Sequence, residues 1–254
     1  MSTLAETLGL GERTFVTIVG GGGKTSLLFA LAREGAALGK RVVTTTTTKM
    51  LRPAVDASRC LFLEGAEDIG TVVGAALDES THVTIGSGRA GDKLLAAPPA
   101  DLDRLHDEAV ADWILVEGDG ARHRHLKMPR DGEPVVPEAT ERIIAVAGVD
   151  VIGKTFTEET IFRPEIVEAR TRYRRGETIT ATMVYDLLFH EAGILRVGPT
   201  GATRCAFLSF VDGPDDLDEA RAIAERAARE RPFAIDRVLL GNADPGRVKD
   251  VVRL

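Results

Sequence analysis

The chain alternates between short apolar or β-branched runs and longer segments with helical periodicity. The first run, residues 14–19, is followed by four glycines and then by residues 24–32, whose apolar positions recur at helical spacing until near Gly39. A second β-branched run at residues 41–46 comes a few residues later. The pattern therefore predicts a β-α-β unit with two parallel strands and a right-handed crossover.

The same alternation continues to the end of the chain. Residues 113–116 are apolar throughout, as in a strand buried on both faces, and residues 217–230 form an amphipathic helical pattern. Such alternation predicts an α/β fold of three layers, in which helices cover both faces of a mainly parallel sheet. The other predicted elements are strands near residues 59–63, 82–85, 142–147, 205–210 and 237–240, and helices near residues 66–77 and 101–109.

The interval 122–201 is the least regular part of the pattern. It has more loop-forming and charged positions than its surroundings. We therefore predict a single domain over residues 1–254, with a loop-rich insertion or lid at residues 122–201.

The composition narrows the classes of function. The chain has 254 residues, of which 44% are hydrophobic, and its formal net charge is −7. This acidity argues against binding to nucleic acid or to anionic membranes. The sequence shows neither the long apolar run of a membrane span nor a secretory signal, and Cys60 and Cys205 each lie alone in an apolar run. We expect a cytoplasmic protein with buried thiols.

The glycine run carries the clearest chemical signal. Backbone N–H groups can approach a phosphate closely only where Cβ atoms are absent, and the N-terminus of the following helix adds a favourable dipole. The Lys24 ammonium would then contact the β- and γ-phosphates, and the Thr25 hydroxyl would contact Mg²⁺. Because Ile18 stands six residues before Lys24, the loop is a shortened GxxGKT form that resembles the loop of Mur-type ligases. The predicted nucleotide-binding residues are Gly20, Gly21, Gly22, Gly23, Lys24, Thr25 and Ser26.

An acidic turn ends the buried strand at residues 113–116. A carboxylate in this position can hold Mg²⁺ directly or through water. We predict that Glu117 is linked to the metal and that Asp119 positions water or substrate, although the sequence leaves these two roles exchangeable. The predicted catalytic residues are Lys24, Glu117 and Asp119, and the predicted metal ligands are Thr25, Glu117 and Asp119.

Two further polar segments are candidates for contact with an anionic substrate. Residues 44–48 are five consecutive threonines, followed by Lys49. Strands favour threonine, so the last two threonines and Lys49 are the better functional candidates. Residues 122–127 are locally cationic directly after the acidic turn, and they form either a solvated loop or a substrate contact. The predicted substrate-binding residues are Thr47, Thr48, Lys49, Lys127 and Arg163.

Seven short motifs extend over nearly the whole chain, at residues 19–25, 45–50, 91–95, 117–121, 126–129, 148–154 and 163–165. Their order and spacing resemble the YqeC family, accessory proteins of selenium-dependent molybdenum hydroxylases. The resemblance implies a P-loop NTPase-like protein that acts in maturing or inserting a selenium-containing molybdenum cofactor. It also implies a nucleoside triphosphate with Mg²⁺ as cofactors, and the molybdenum cofactor or a molybdenum hydroxylase client as partner.

The chain departs from the family pattern at two places. Relatives commonly have alanine at the position of Gly118. At residues 208–212 they tend to carry an Asn-Lys-x-Asp-like segment, whose Asp would recognise guanine. Here Ser209 and Phe210 replace the first two positions and Asp212 remains. ATP is therefore the predicted nucleotide, and GTP is the alternative.

Three functional hypotheses stay open. The first is an NTP-dependent maturation enzyme or chaperone for the molybdenum hydroxylases. The second is a nucleotide-sensing switch that binds a client dehydrogenase and hydrolyses little nucleotide. The third, suggested by the length of the loop, is a Mur-like ligase or small-molecule kinase.

Overall fold

A nine-stranded sheet runs through the protein, which the computed structural model describes at residues 3–51, 59–66, 68–230, 235–244 and 246–254. All of its neighbouring strands are parallel except the pair at one edge, β13 and β14. The mainly parallel α/β sheet predicted from the sequence is thus confirmed. In sheet order the strands are β14 (Arg247–Arg253), β13 (Ile235–Asn242), β12 (Thr203–Ser209), β10 (Arg142–Gly148), β1 (Thr14–Gly20), β8 (Trp113–Glu117), β2 (Val42–Thr46), β5 (His82–Gly86) and β4 (Arg59–Phe62).

Two small sheets accompany the large one. β3 (Met50–Leu51), β7 (Lys93–Leu94) and β6 (Arg89–Ala90) form the first, in that order, and β9 (Leu126–Lys127) pairs with β11 (Ile161–Phe162) in the second. The α-helices of the described residues are α1 (Leu4–Leu8), α2 (Lys24–Ala37), α3 (Ile69–Glu79), α4 (Pro99–Asp107), α5 (Pro164–Arg170), α6 (Ala181–Phe189) and α7 (Pro214–Glu230).

Helices cover both faces of the large sheet because successive strand residues point to opposite sides. Val16 and Ile18 of β1 pack with α1 and α2 on one face. On the other face Phe15 packs with α3 and α4, while Ala145 and Leu208 pack with α6 and α7. The layers agree with the prediction, whereas the assignment as a P-loop NTPase-like fold stays a prediction.

The sequence pattern located most long elements but not their neighbours in the sheet. β1 and β2 are parallel, as expected, yet β8 lies between them and pairs with both. The edge strand β14 was not predicted, because its charged residues alternate with apolar ones only weakly, as is common at sheet edges. α5 and α6, also unpredicted, lie within the interval 122–201 together with the interior strand β10. The description of this interval as an insertion or lid stays a prediction.

Among the residues that the structure describes, no helix has the length and apolar character needed to cross a membrane.

Candidate functional site

A cleft of about 850 Å³ lies where the carboxyl ends of β1, β8 and β2 meet. Residues 22–26 line it after β1, Glu117 lines it at the end of β8, and residues 48–50 line it after β2. The parallel register brings these ends together, since Ile18 of β1 and Thr46 of β2 both pair with Glu117. The predicted phosphate loop and the predicted acidic turn therefore face one another.

The loop between β1 and α2 is closely packed against other backbone segments. A Cβ atom at Gly21 would lie 2.7 Å from the carbonyl oxygen of Arg124, and one at Gly22 would lie 2.6 Å from the nitrogen of Gly148. Gly22 also has a φ of +78°, a conformation that side chains disfavour. Space thus requires glycine at both positions, and conformation requires it at Gly22 as well.

The loop presents free backbone donors at the start of α2. The N–H groups of Gly21 and Gly22 donate to Val146 and Arg124, at 2.9 and 3.1 Å. By contrast, the N–H groups of residues 23–26 have no acceptor within the described residues. Four unpaired donors at the positive end of a helix dipole have the chemistry that favours an anion.

A buried carboxylate between two lysines anchors this loop. Asp119 is fully buried and accepts the Gly20 N–H at 3.0 Å. The Nζ of Lys127 lies 2.7 Å from one Asp119 oxygen, and the Nζ of Lys24 lies 3.4 Å from the other. Lys24 also donates to the carbonyl oxygen of Gly20 at 2.7 Å. Burial lowers the pKa of Lys127, and Asp119 opposes that shift. Asp119 is therefore placed to position Lys24 and the start of the loop.

Thr25 and Glu117 form the pair of oxygen ligands closest to the loop. The Thr25 hydroxyl donates to Glu117 Oε2 at 2.6 Å. Burial raises the pKa of Glu117, and Lys24 and Thr25 oppose the shift. A hydroxyl and a carboxylate suit Mg²⁺, which takes few protein ligands and keeps phosphate oxygens and waters for the rest. Among the described residues, no cluster of three or more His, Cys, Asp or Glu could hold a metal ion.

Asp119 is less suited to a metal than Glu117. Its two oxygens already engage the Gly20 N–H and the ammonium groups of Lys24 and Lys127. The two carboxylates thus differ in their surroundings, since Glu117 lines the cleft and Asp119 is buried outside its lining. Their roles as metal ligand and positioning residue stay predictions.

The predicted substrate-binding residues separate into two groups. Thr48, Lys49 and Arg163 line the cleft. Thr47 is buried, and its hydroxyl donates to the carbonyl oxygen of Val135 at 2.6 Å. Lys127 is buried on Asp119. The last two therefore support the walls of the cleft.

Several further residues line the cleft without having been predicted as site residues, and three of them, Glu133, Phe162 and Lys93, bear on its charge and shape. Glu133 accepts a hydrogen bond from Arg163 Nη1 at 2.7 Å, and the Phe162 ring centroid lies 4.7 Å from the Arg163 guanidinium carbon. Lys93 enters from the hairpin of β6 and β7. Only Lys93 had a sequence signal, its place in the motif at residues 91–95.

Unusual backbone conformations concentrate along the cleft. Arg122, His123 and Arg163 all line it and have φ values of +47°, +61° and +56°. Each such conformation costs a non-glycine residue about 1–2 kcal/mol. Their grouping at one cleft is typical of a functional site.

The comparisons with known proteins agree on one family. The model of the YqeC protein family matches residues 16–165. The chain belongs to the YqeC family. It is 32% identical over 210 residues to the Uncharacterized protein YqeC of Escherichia coli (strain K12), a match that covers 82% of this chain and 80% of that protein. The part matched by the family model includes the predicted phosphate loop, the acidic turn and every predicted substrate-binding residue of this YqeC-family chain.

Proposed function

We propose that this YqeC-family protein binds a nucleoside triphosphate together with Mg²⁺ in the cleft at the start of α2. The observation that carries the proposal is the set of unpaired N–H groups at residues 23–26, beside the Lys24 ammonium and opposite Glu117. Backbone donors, a helix N-terminus and a lysine together are the chemistry of a phosphate site.

The roles that we propose for the other residues of the cleft follow from the same arrangement. Lys24 has three donors, of which one goes to the Gly20 carbonyl and one faces Asp119, so one is left for a phosphate oxygen. Mg²⁺, when bound, would neutralise charge on the phosphates, and Thr25 and Glu117 are the residues to hold it. Catalysis at such a site consists mainly of positioning and charge stabilisation. Asp119 would serve it by fixing the loop and Lys24.

ATP remains the nucleotide that we propose, with GTP as the alternative. The Asp212 carboxylate accepts a hydrogen bond from Asn242 Nδ2 at 2.6 Å, and Ser209 stands at the end of β12 where a guanine-binding segment would have asparagine. The biological role that we propose is accessory to the maturation of selenium-dependent molybdenum hydroxylases. That role is supported by the family resemblance.

The test is Mg²⁺-dependent release of phosphate from ATP by the wild-type protein and by Glu117→Gln. The variant keeps the shape of the side chain but loses the negative charge that attracts the metal. We expect ATP affinity within threefold of the wild-type value, and phosphate release reduced by about 10²-fold or more, the range seen when one stabilising group of a site is removed.

The matched control is Glu12→Gln, which neutralises a side chain that is 92% exposed and paired with Lys40. It should release phosphate at the wild-type rate. A wild-type protein that binds ATP without releasing phosphate, with or without a molybdenum hydroxylase, would favour the nucleotide-sensing switch over hydrolysis. Failure of the wild-type protein to bind either ATP or GTP would refute the proposal.

A further inference from the structure

The cleft carries more positive charge than a triphosphate with Mg²⁺ needs. Six cationic side chains and two carboxylates line it, which leaves a formal surplus of four positive charges with His123 neutral. The whole chain, in contrast, has a net charge of −7. The cations are Lys24, Lys49, Lys93, Arg122, Arg124 and Arg163, and the carboxylates are Glu117 and Glu133.

Half of these cations have no counterpart within the described residues. Lys24 faces Asp119, Arg163 pairs with Glu133, and Arg124 donates to the carbonyl oxygen of Glu158 at 2.6 Å. Lys49, Lys93 and Arg122, however, make no side-chain hydrogen bond or ion pair in the described part of the chain, and only the Phe162 ring lies near Arg122, at 5.9 Å. Like charges that share a cleft without counterions repel one another, so no ion pair among the described residues explains why these three lie there.

The backbone holds the two free lysines at the wall of the cleft. Met50 and Leu94 pair across β3 and β7, and both are almost fully buried. Lys49 and Lys93 are the residues just before these two buried positions, and both line the cleft. The burial of Met50 and Leu94 therefore fixes the chain from which the two ammonium groups extend.

Arg122 reaches the same cleft from the loop that follows β8. It follows the acidic turn after β8, in a left-handed conformation with a φ of +47°. The three free cations thus come from three chain segments, one after β2, one in β7 and one after β8, and all three line the same cleft.

Mg²⁺ neutralises about half of the charge of a bound triphosphate. About half of the surplus charge of the cleft is then left without an anion. A phosphate monoester carries a charge of about −1.5 to −2 at neutral pH, which matches what remains.

We infer that Lys49, Lys93 and Arg122 form a second anion subsite in the cleft, which binds a small dianionic co-substrate with the charge of a phosphate monoester beside the triphosphate. This inference rests on the proposed function, because the bound triphosphate with Mg²⁺ accounts for the other half of the surplus positive charge of the cleft. It extends the predicted substrate contact of Lys49 to Lys93, and it selects the substrate contact over the solvated loop for Arg122.

The test is calorimetric titration of inorganic phosphate in two arms, one with the free protein and one with the protein saturated with Mg²⁺ and a non-hydrolysable ATP analogue. The variants are Lys93→Ala and Arg122→Ala. Arg33→Ala is the matched control, because it removes an exposed cation of α2 that has no side-chain partner among the described residues. We expect the nucleotide-loaded wild-type protein to bind phosphate. Each cleft variant should bind phosphate at least fivefold more weakly, while its nucleotide affinity stays within twofold of wild type and Arg33→Ala changes neither.

The outcomes separate the two claims. If no nucleotide binds, the proposed function fails, and the free-protein arm still decides whether Lys93 and Arg122 hold phosphate. If nucleotide binds but the nucleotide-loaded wild-type protein does not bind phosphate, the second subsite is refuted. It is also refuted if the loaded cleft variants bind phosphate as tightly as the loaded wild-type protein. A loss of nucleotide affinity as large as the loss of phosphate affinity would also overturn the inference, because the cations would then serve the triphosphate.

Discussion

Asp119 is the carboxylate on which the loop and two lysines converge, so its replacement tests how the site is built. Asp119→Asn keeps the size of the side chain and an oxygen for the Gly20 N–H. It removes the negative charge that faces Lys127 at 2.7 Å, where the two side chains are 1% and 0% exposed. Breaking a buried pair from one side costs about 3–5 kcal/mol, because the remaining charge is left buried without a partner.

A double-mutant cycle isolates this interaction. Lys127→Met removes the other charge and retains the apolar stem, so in the double variant neither charge is left unpaired. We expect the double variant to be more stable than the sum of the single effects predicts, by about 2 kcal/mol. The measurement is the urea midpoint followed by circular dichroism. The same cycle on Glu12 and Lys40, a surface pair in which the Glu12 side chain is 92% exposed, should give a coupling below about 1 kcal/mol.

The pH dependence gives a second, independent signature. Burial lowers the pKa of Lys127 and Asp119 opposes the shift, so in Asp119→Asn the folded-state pKa falls further below that of the unfolded chain. Between these two pKa values the unfolded chain binds more protons, and the free energy of unfolding of Asp119→Asn should rise with pH. An Asp119→Asn cost below about 1 kcal/mol, or additive effects in the cycle, would refute the reasoning.

Two further predictions concern the loop and the metal. Gly22→Ala should lower ATP affinity at least tenfold, because its Cβ would lie 2.6 Å from the Gly148 nitrogen. The control Gly39→Ala, with a similar φ of +76° and nothing within 4 Å of its Cβ, should lose only about 1 kcal/mol of stability. Calorimetry and urea titration of both variants check this, and equal ATP affinities would contradict it. Burial raises the pKa of Glu117, so protons should compete with Mg²⁺ and Mg²⁺ affinity should fall about tenfold per pH unit below that pKa. Titrations of Mg²⁺ over a pH series should show this decline in the wild-type protein, and an equal decline in Glu117→Gln would exclude Glu117 as its cause.

The sequence was sufficient to predict the parts of the site that depend on local pattern and on the parallel order of the strands. The glycine loop and the acidic turn were recognisable separately, and both lie at the carboxyl ends of strands that prove to be neighbours. Because the carboxyl ends of parallel strands meet at one edge, the contact between Thr25 and Glu117 follows from elements that the hydrophobic pattern already indicated.

The rest of the site depends on contacts that no local pattern encodes. Lys93 reaches the cleft through the pairing of β7 with β3, strands of two residues each, which are too short to show a period. Lys127 looks like a substrate contact in a cationic run, but the chain turns its ammonium inward onto Asp119. Glu133 enters through a loop, and its place beside Arg163 is set only by tertiary packing.

The most direct measurement of the central claim is calorimetric binding of ATP, in the presence of Mg²⁺, to the wild-type protein, to Lys24→Ala and to Lys40→Ala. Lys24 faces the cleft beside the free N–H groups of α2, whereas Lys40 pairs with Glu12 at the surface. We predict at least tenfold weaker binding by Lys24→Ala, equivalent to about 1.4 kcal/mol, and unchanged binding by Lys40→Ala. Equal affinities of Lys24→Ala and the wild-type protein would contradict the assignment of this loop as the phosphate site.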